Sequence, residues 1–501
     1  MVMTPYSLPA GLVKRLSPTE VANTWWATEM VRWREGVLQP IGGFQRMTAS
    51  PMASKTRHIH NYRDVGVAEY TLFGADSHLF YMNSAGGITN ITPASFVPFS
   101  TLGAVGGFGV GAYGVGAYGV GDGTINPNAP FAFWTMANWG KDVVMTASSD
   151  GRLLYYTTNT PTTAPIAVTG APIGNKACIV TPERFVMLIG EGGNPRNIGW
   201  CSRENINDWN YASTTNTAGF LTIPSRTPLE TAVIVKDGIL LFSRTEVYIV
   251  RYSGLPYVYG YQYLGDTAII NPESIALYQG NAAWFTKEGI WKYEAGGGIS
   301  RVASDVWDYI QKNEIDSFFG QQKGFAYDHG TFPEIWFYYP SIGNPECNKY
   351  LIWNYLENWF STGTMARTAM CTGTLHGYPI KTDALGYAYE HDKGWTENGD
   401  ARAANGKIYA ETSYIKGSEN TLALNQIMPS TGFGAKIDVT LYGRYTPEGA
   451  ETAYGAYTCR SDGYIDTRAE AKFLRLRFTP TQDGLWSVGE MTLDVEKGSR
   501  R

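Results

Sequence analysis

One local pattern recurs along this chain and restricts its fold more than any other: an apolar run, a tight turn, then a strand in which apolar and polar residues alternate. It is found as YTLFGADSHLFYM, VVMTASSDGRLLYY, VMLIGEGGNPRNIGW, GILLFSRTEVYIV, AAWFTKEGIWKY, EIWFYYPSIGNPECNKYLIW and, more weakly, IKTDALGYAYEH. Each reads as a β-hairpin, because a period of two gives a strand one buried face and the turn residues close the reversal. The first apolar residues after the turns are Leu79, Leu153, Ile198, Val247, Ile290, Leu351 and Tyr387, spaced by 74, 45, 49, 43, 61 and 36 residues. Three of these spacings match one β-propeller blade of about 40–50 residues. A meander of hairpins in two stacked sheets is the competing arrangement.

The 74-residue step contains AVGGFGVGAYGVGAYGVGDG, residues 104–123, four five-residue units rich in glycine. Glycine loses the most conformational entropy on ordering, so a helix is disfavoured, and a period of five is not the triplet of collagen. No phosphate-binding Lys-Ser/Thr follows, and Pro127 and Pro130 stand where a nucleotide-binding helix would begin. The segment is expected to be an insertion between the first two blades. Its Phe108, Tyr113 and Tyr118 are candidates for an assembly interface, with a self-packed surface loop as the alternative.

With 44% hydrophobic and 17% charged residues the chain can bury large cores, and 57 Gly, 33 Tyr, 15 Trp and 25 Pro favour short strands between turns. The expected class is all-β. A net charge of −5 argues against a dedicated nucleic-acid binder, which would concentrate Lys and Arg to displace counterions from phosphates. The five cysteines form no CxxC pair and read as free thiols made in a reducing compartment. No apolar run reaches the length of a membrane span, and the first residues lack the apolar core of a signal peptide. A soluble, unexported protein without a membrane anchor is expected.

Beyond Trp395 the rhythm changes to longer strands, at 408–415, 421–428, 435–445, 473–479 and 486–496, which read as a β-sandwich. In FLRLRFT, Leu474, Leu476 and Phe478 share the core face; Arg475 and Arg477 lie opposite, as a solvated face or a subunit contact. The expected division is a docking segment at 1–50, a propeller of six or seven blades at 51–395 with its insertion at 104–123, and a sandwich at 396–501.

Catalytic patterns are sparse. His58, His60, His78, His329, His376 and His391 have no metal-ligand spacing, and HIH reads as two imidazoles on a solvated strand face. No nucleophile elbow or cysteine-nucleophile signature occurs. No catalytic residue, metal or cofactor is expected, although a carboxylate pair for glycoside hydrolysis stays open. YEHDKGWTENGD, with Glu390, Asp392, Glu397 and Asp400, reads as a hydrated linker.

Several motifs in order carry a resemblance. WWATEMVRWREGVLQPIGGF is followed by repeated Gly-Ala-Tyr-Gly, NWGKDVVM, VTPERFVMLIG, then GW with NDWN and NTAG, YLIWNYLENWFSTGTMART, YEHDKG and WSVGEMTLDVEKGSRR. The series resembles the tail hub or nozzle proteins of short-tailed bacteriophages, also described as packaged-DNA stabilisation proteins, over nearly the whole chain. The resemblance implies a non-enzymatic structural virion protein made in the bacterial host cytoplasm. Six copies would form a ring below portal and adaptor proteins, contacting tail fibres or a needle. Double-stranded DNA would pass through without specific binding. Where related proteins carry a basic cluster after the repeats, this chain has TINPNAP. A propeller-type glycan-binding or glycan-hydrolysing tail protein is the alternative.

Overall fold

The computed structural model describes residues 3–15, 17–63, 69–99, 133–316, 323–372, 377–416, 420–432 and 437–498. Among these residues the chain forms seven four-stranded antiparallel sheets, two six-stranded sheets and one α-helix, Trp307–Asn313. The seven hairpins read from the sequence are the second and third strands of the seven small sheets. Val143–Tyr156 pairing, for example, joins Asp142–Ala147 to Leu154–Tyr156, and Glu334–Tyr339 pairs with Lys349–Asn354. An inner strand precedes each hairpin and an outer strand completes it. Neighbouring inner strands touch, among them Trp134–Trp139 against Ala177–Val180 and Ala369–Cys371 against Thr56–Arg63, so the last sheet returns to the first. This is a β-propeller of seven blades.

Large side chains wedge the blades together. Trp134 of blade two is fully buried against blade one, where it donates Nε1–H to the Ala75 carbonyl at 3.0 Å. Gly74 faces that indole, and a Cβ there would lie 2.5 Å from it, which explains a glycine inside a strand. Trp284, Trp336 and Trp353 are buried at 0%, 1% and 3% exposure. Trp291 is only partly buried, packed at the margin of the blade-four and blade-five core.

The ring closes with a strand from the other end of the chain. Phe44–Arg46 is the outer strand of blade seven, pairing with Ala388–His391. The rest of the first fifty residues does not form a separate docking segment. Met3–Tyr6, Val31–Arg34 and Val37–Pro40 enter one six-stranded sheet with Leu422–Gly432, Ile465–Ala471 and Ser487–Lys497. Trp25–Glu29 enters the other with Tyr409–Thr412, Ile415–Lys416, Ile437–Arg444, Thr452–Thr458 and Phe473–Pro480. A division at residues 50 and 395 therefore cuts through both sheets; strand partners 380 to 491 residues apart, as in Glu29 with Tyr409 and Met3 with Asp494, leave no local signal in either segment.

Both six-stranded sheets and blades five and six feed one continuous core. Leu474, Leu476 and Phe478 lie in it with exposures of 2%, 0% and 0%, as alternation requires. Rings link the parts in series: Phe478 to Trp25 at 5.9 Å, Trp25 to Trp33 at 6.1 Å, and Trp33 to Trp359 of blade six at 5.6 Å. No helix among the described residues is long and apolar enough to cross a membrane.

Candidate functional site

The inner strands surround a channel on the propeller axis, a cavity of about 390 Å³ to which all seven blades contribute. Its walls are mainly apolar, with Ile179, Val233 and Leu277 among them, and three of its polar side chains form one hydrogen-bonded cluster. His58 Nδ1 lies 3.2 Å from Glu273 Oε1, and Tyr327 donates its hydroxyl to Glu273 Oε2 at 2.6 Å. These three side chains come from blades one, five and six. His58 and Glu273 keep 18% and 15% exposure, so the cluster is reachable. Burial and the adjacent Glu273 carboxylate hold the Tyr327 phenol far above its ordinary range, so it remains a donor.

The two imidazoles of HIH share a strand face, as expected, but that face lines the channel and not bulk solvent. The sequence signal was available in retrospect: the strand directly before a blade's hairpin is its innermost. His60 is held neutral, its pKa lowered to about 4 by burial, and its Nε2 lies 2.6 Å from Asn138 Oδ1. Asn61 also lines the channel, and neither atom of its carboxamide finds a protein partner. Cys178 and Cys371 lie in the wall with thiol pKa values raised by burial to about 11 and about 12, which suppresses the thiolate. Among the described residues no three His, Cys, Asp or Glu side chains are placed to hold a metal ion.

A second polar assembly lies at the joint between the propeller and the six-stranded sheets. Arg32 is buried between two carboxylates, Nη2 at 2.5 Å from Asp392 Oδ2 and Nε at 3.2 Å from Glu334 Oε1. His329 Nε2 lies 2.7 Å from the same Asp392 oxygen, and the Gly42 amide donates to Asp392 Oδ1 at 2.5 Å. Arg32 and His329 drive the Asp392 carboxyl far below its usual range despite burial. Arg402, fully buried, donates to the carbonyls of Trp395, Gly42 and Ile41 at 2.9, 3.1 and 2.9 Å. YEHDKGWTENGD is thus not a hydrated linker: it holds the third strand of blade seven and the acceptor of the joint. Backbone crowding accounts for the glycine pair of QPIGGF, since a Cβ on Gly43 would sit 2.1 Å from the Thr396 carbonyl oxygen.

The sequence-derived interface residues divide. Phe108, Tyr113 and Tyr118 lie outside the described residues, as does His376. Arg475 and Arg477 are neighbours across one sheet face, both committed within the chain. Arg475 pairs bidentately with Glu451 at 2.9 Å and with Glu411, and stacks 4.2 Å from the Tyr442 ring centre. Arg477 reaches Glu411 at 3.4 Å and lies 3.9 Å from the Tyr409 ring centre.

No family model and no curated protein matches this chain. Among solved structures it is similar to virginiamycin B lyase from Staphylococcus aureus, with 11% identity, a TM-score of 0.42, and coverage of 70% of this chain and 99% of that one. The Cps50 (Swd1) β-propeller domain of Myceliophteria thermophila gives 6% identity, a TM-score of 0.41, and coverage of 70% and 99%. PorZ, a surface component of the type-IX secretion system of Porphyromonas gingivalis, gives 9%, 0.36, and coverage of 82% and 46%. The propeller assigned here rests on this chain's own strand pairing, and no activity passes from these proteins to it.

Proposed function

We propose that the chain is a non-enzymatic structural protein of a short-tailed phage tail, a hub or nozzle subunit whose copies form a ring around the DNA path. The two six-stranded sheets pack face to face as a β-sandwich, and this second body is fixed rigidly to the propeller. The observation that carries the reading is the joint itself. Domains of one chain normally meet through modest, mobile interfaces. Here both chain ends are woven into the same two sheets, one continues into blade seven, and Arg32, Asp392 and Arg402 fasten the crossing. A part that transmits load between neighbours needs two bodies that cannot hinge.

The axial cavity is far too small for a duplex, so DNA runs along the axis of the assembled ring and not through a propeller. A net charge of −5 suits such a conduit, because a lining rich in Lys and Arg would hold many phosphates and slow passage. Negative-stain microscopy of the purified protein, followed by averaging of whole particles, tests the reading. Closed rings, located below the portal, are expected. A monomer that cleaves host polysaccharide would replace this reading with that of a glycan hydrolase.

A further inference from the structure

We propose that the axial channel binds a small organic ammonium ion, a primary amine carried on an apolar body. The proposal is independent of the role in a tail. A volume of about 390 Å³ is within the range of small-molecule sites, roughly 300–1,000 Å³, and the combination of apolar walls with a few convergent polar groups is their usual construction. The polar groups select the charge. No Lys or Arg side chain is among the residues lining the channel, whereas Glu273 is. An anion would find no counter-charge there.

The hydrogen-bond inventory points the same way. Glu273 receives Tyr327 on one oxygen and His58 on the other, and a carboxylate has about four acceptor sites, so capacity remains on both. An –NH₃⁺ group brings three donors to the remaining acceptor sites of the Glu273 carboxylate. Its hydrocarbon part would replace water against Ile179, Val233 and Leu277.

Isothermal titration calorimetry on the full chain tests this with 2-phenylethylamine, its neutral counterpart 2-phenylethanol, and phenylacetate as the anion. The amine is expected to bind at least tenfold more tightly than the alcohol, and phenylacetate to give no heat. Glu273→Gln keeps the size and an acceptor for Tyr327 but removes the charge, and should weaken the amine at least tenfold with an unchanged melting temperature. Leu277 is 44% exposed and tolerates enlargement, so Leu277→Trp provides a second variant that fills the cavity and should abolish binding without affecting the fold. Equal binding of amine and alcohol, undiminished binding by Leu277→Trp, or no heat from the amine would each overturn the proposal.

Discussion

Arg32 and Asp392 are 360 residues apart in sequence and 2.5 Å apart in space, the guanidinium of an N-terminal strand against a carboxylate just past blade seven. Each is buried, so each charge depends on the other for solvation. Asp392→Asn should leave Arg32 without its counter-charge and cost about 3–5 kcal/mol, as removal of one member of a buried pair does. The pH dependence has a definite sign. The carboxyl is held below its unfolded value, so its contribution is present above about pH 4 and is lost as the pH falls through the folded value. The gap in urea midpoint between the two proteins should therefore hold from pH 7 down to about pH 4 and begin to narrow only below it, and a gap that closes above pH 4, or no gap at pH 7, counts against the pairing.

The tryptophans of blade five separate full from partial burial within one hairpin. Trp284 is fully buried, edge-to-face with Phe242 of blade four at 5.1 Å, whereas Trp291 across the hairpin is only partly covered. Trp284→Ala should cost about 3–5 kcal/mol by core-truncation precedent. Trp291→Ala should cost roughly 1 kcal/mol, the centre of the range for single substitutions. Chemical denaturation of the two variants checks the order; a reversal would mean that blades four and five do not pack through Trp284.

The blades were legible because a propeller is built from local hairpins. Leu79, Leu153 and Val247 could be found by alternation and turn chemistry alone, each next to its own strand partner in sequence. The second body was legible only in half. Its C-terminal strands were recognised, but Val37–Pro40 and Trp25–Glu29 pair with strands several hundred residues away, and periodicity records burial without naming the partner. The same limit hid the joint. Asp392 in EHDKG has the composition of a solvated turn, and only the approach of Arg32 and His329 makes it a buried anion. For the channel, the shared face of His58 and His60 was correct, but which blade edge faces the axis follows from ring closure and not from alternation.

Glu29 offers a pH test of opposite sign. Burial pushes its carboxyl up to about 7, against the amide of Thr364, which donates to Oε1 at 2.6 Å. A group raised on folding contributes fully below its unfolded pKa, and that contribution is lost as the pH rises through the folded value, here between about 4.5 and about 7. Glu29→Gln retains an acceptor and cannot ionise. Its melting temperature relative to the unsubstituted protein should rise from pH 5 to pH 8, and a difference that is flat or falls over this interval would show that Glu29 is solvated.

The last expectation concerns the first fifty residues, which the strand pairing makes part of both bodies. A chain beginning at residue 51 would lack the outer strand of blade seven, Phe44–Arg46, and four strands of the two large sheets. It would also lose Trp25, Trp33 and Leu38, buried at 2%, 1% and 0% exposure. Truncations of single large core side chains cost about 2–5 kcal/mol each, against a total stability of about 5–15 kcal/mol for a domain. The shortened chain should be insoluble or melt without a cooperative transition, and residues 1–50 supplied as a separate peptide during refolding should restore cooperativity. A cooperative melt within a few degrees of the full chain would show that the N-terminal strands rest on a completed fold, and the two bodies would then be joined only by the segment after blade seven.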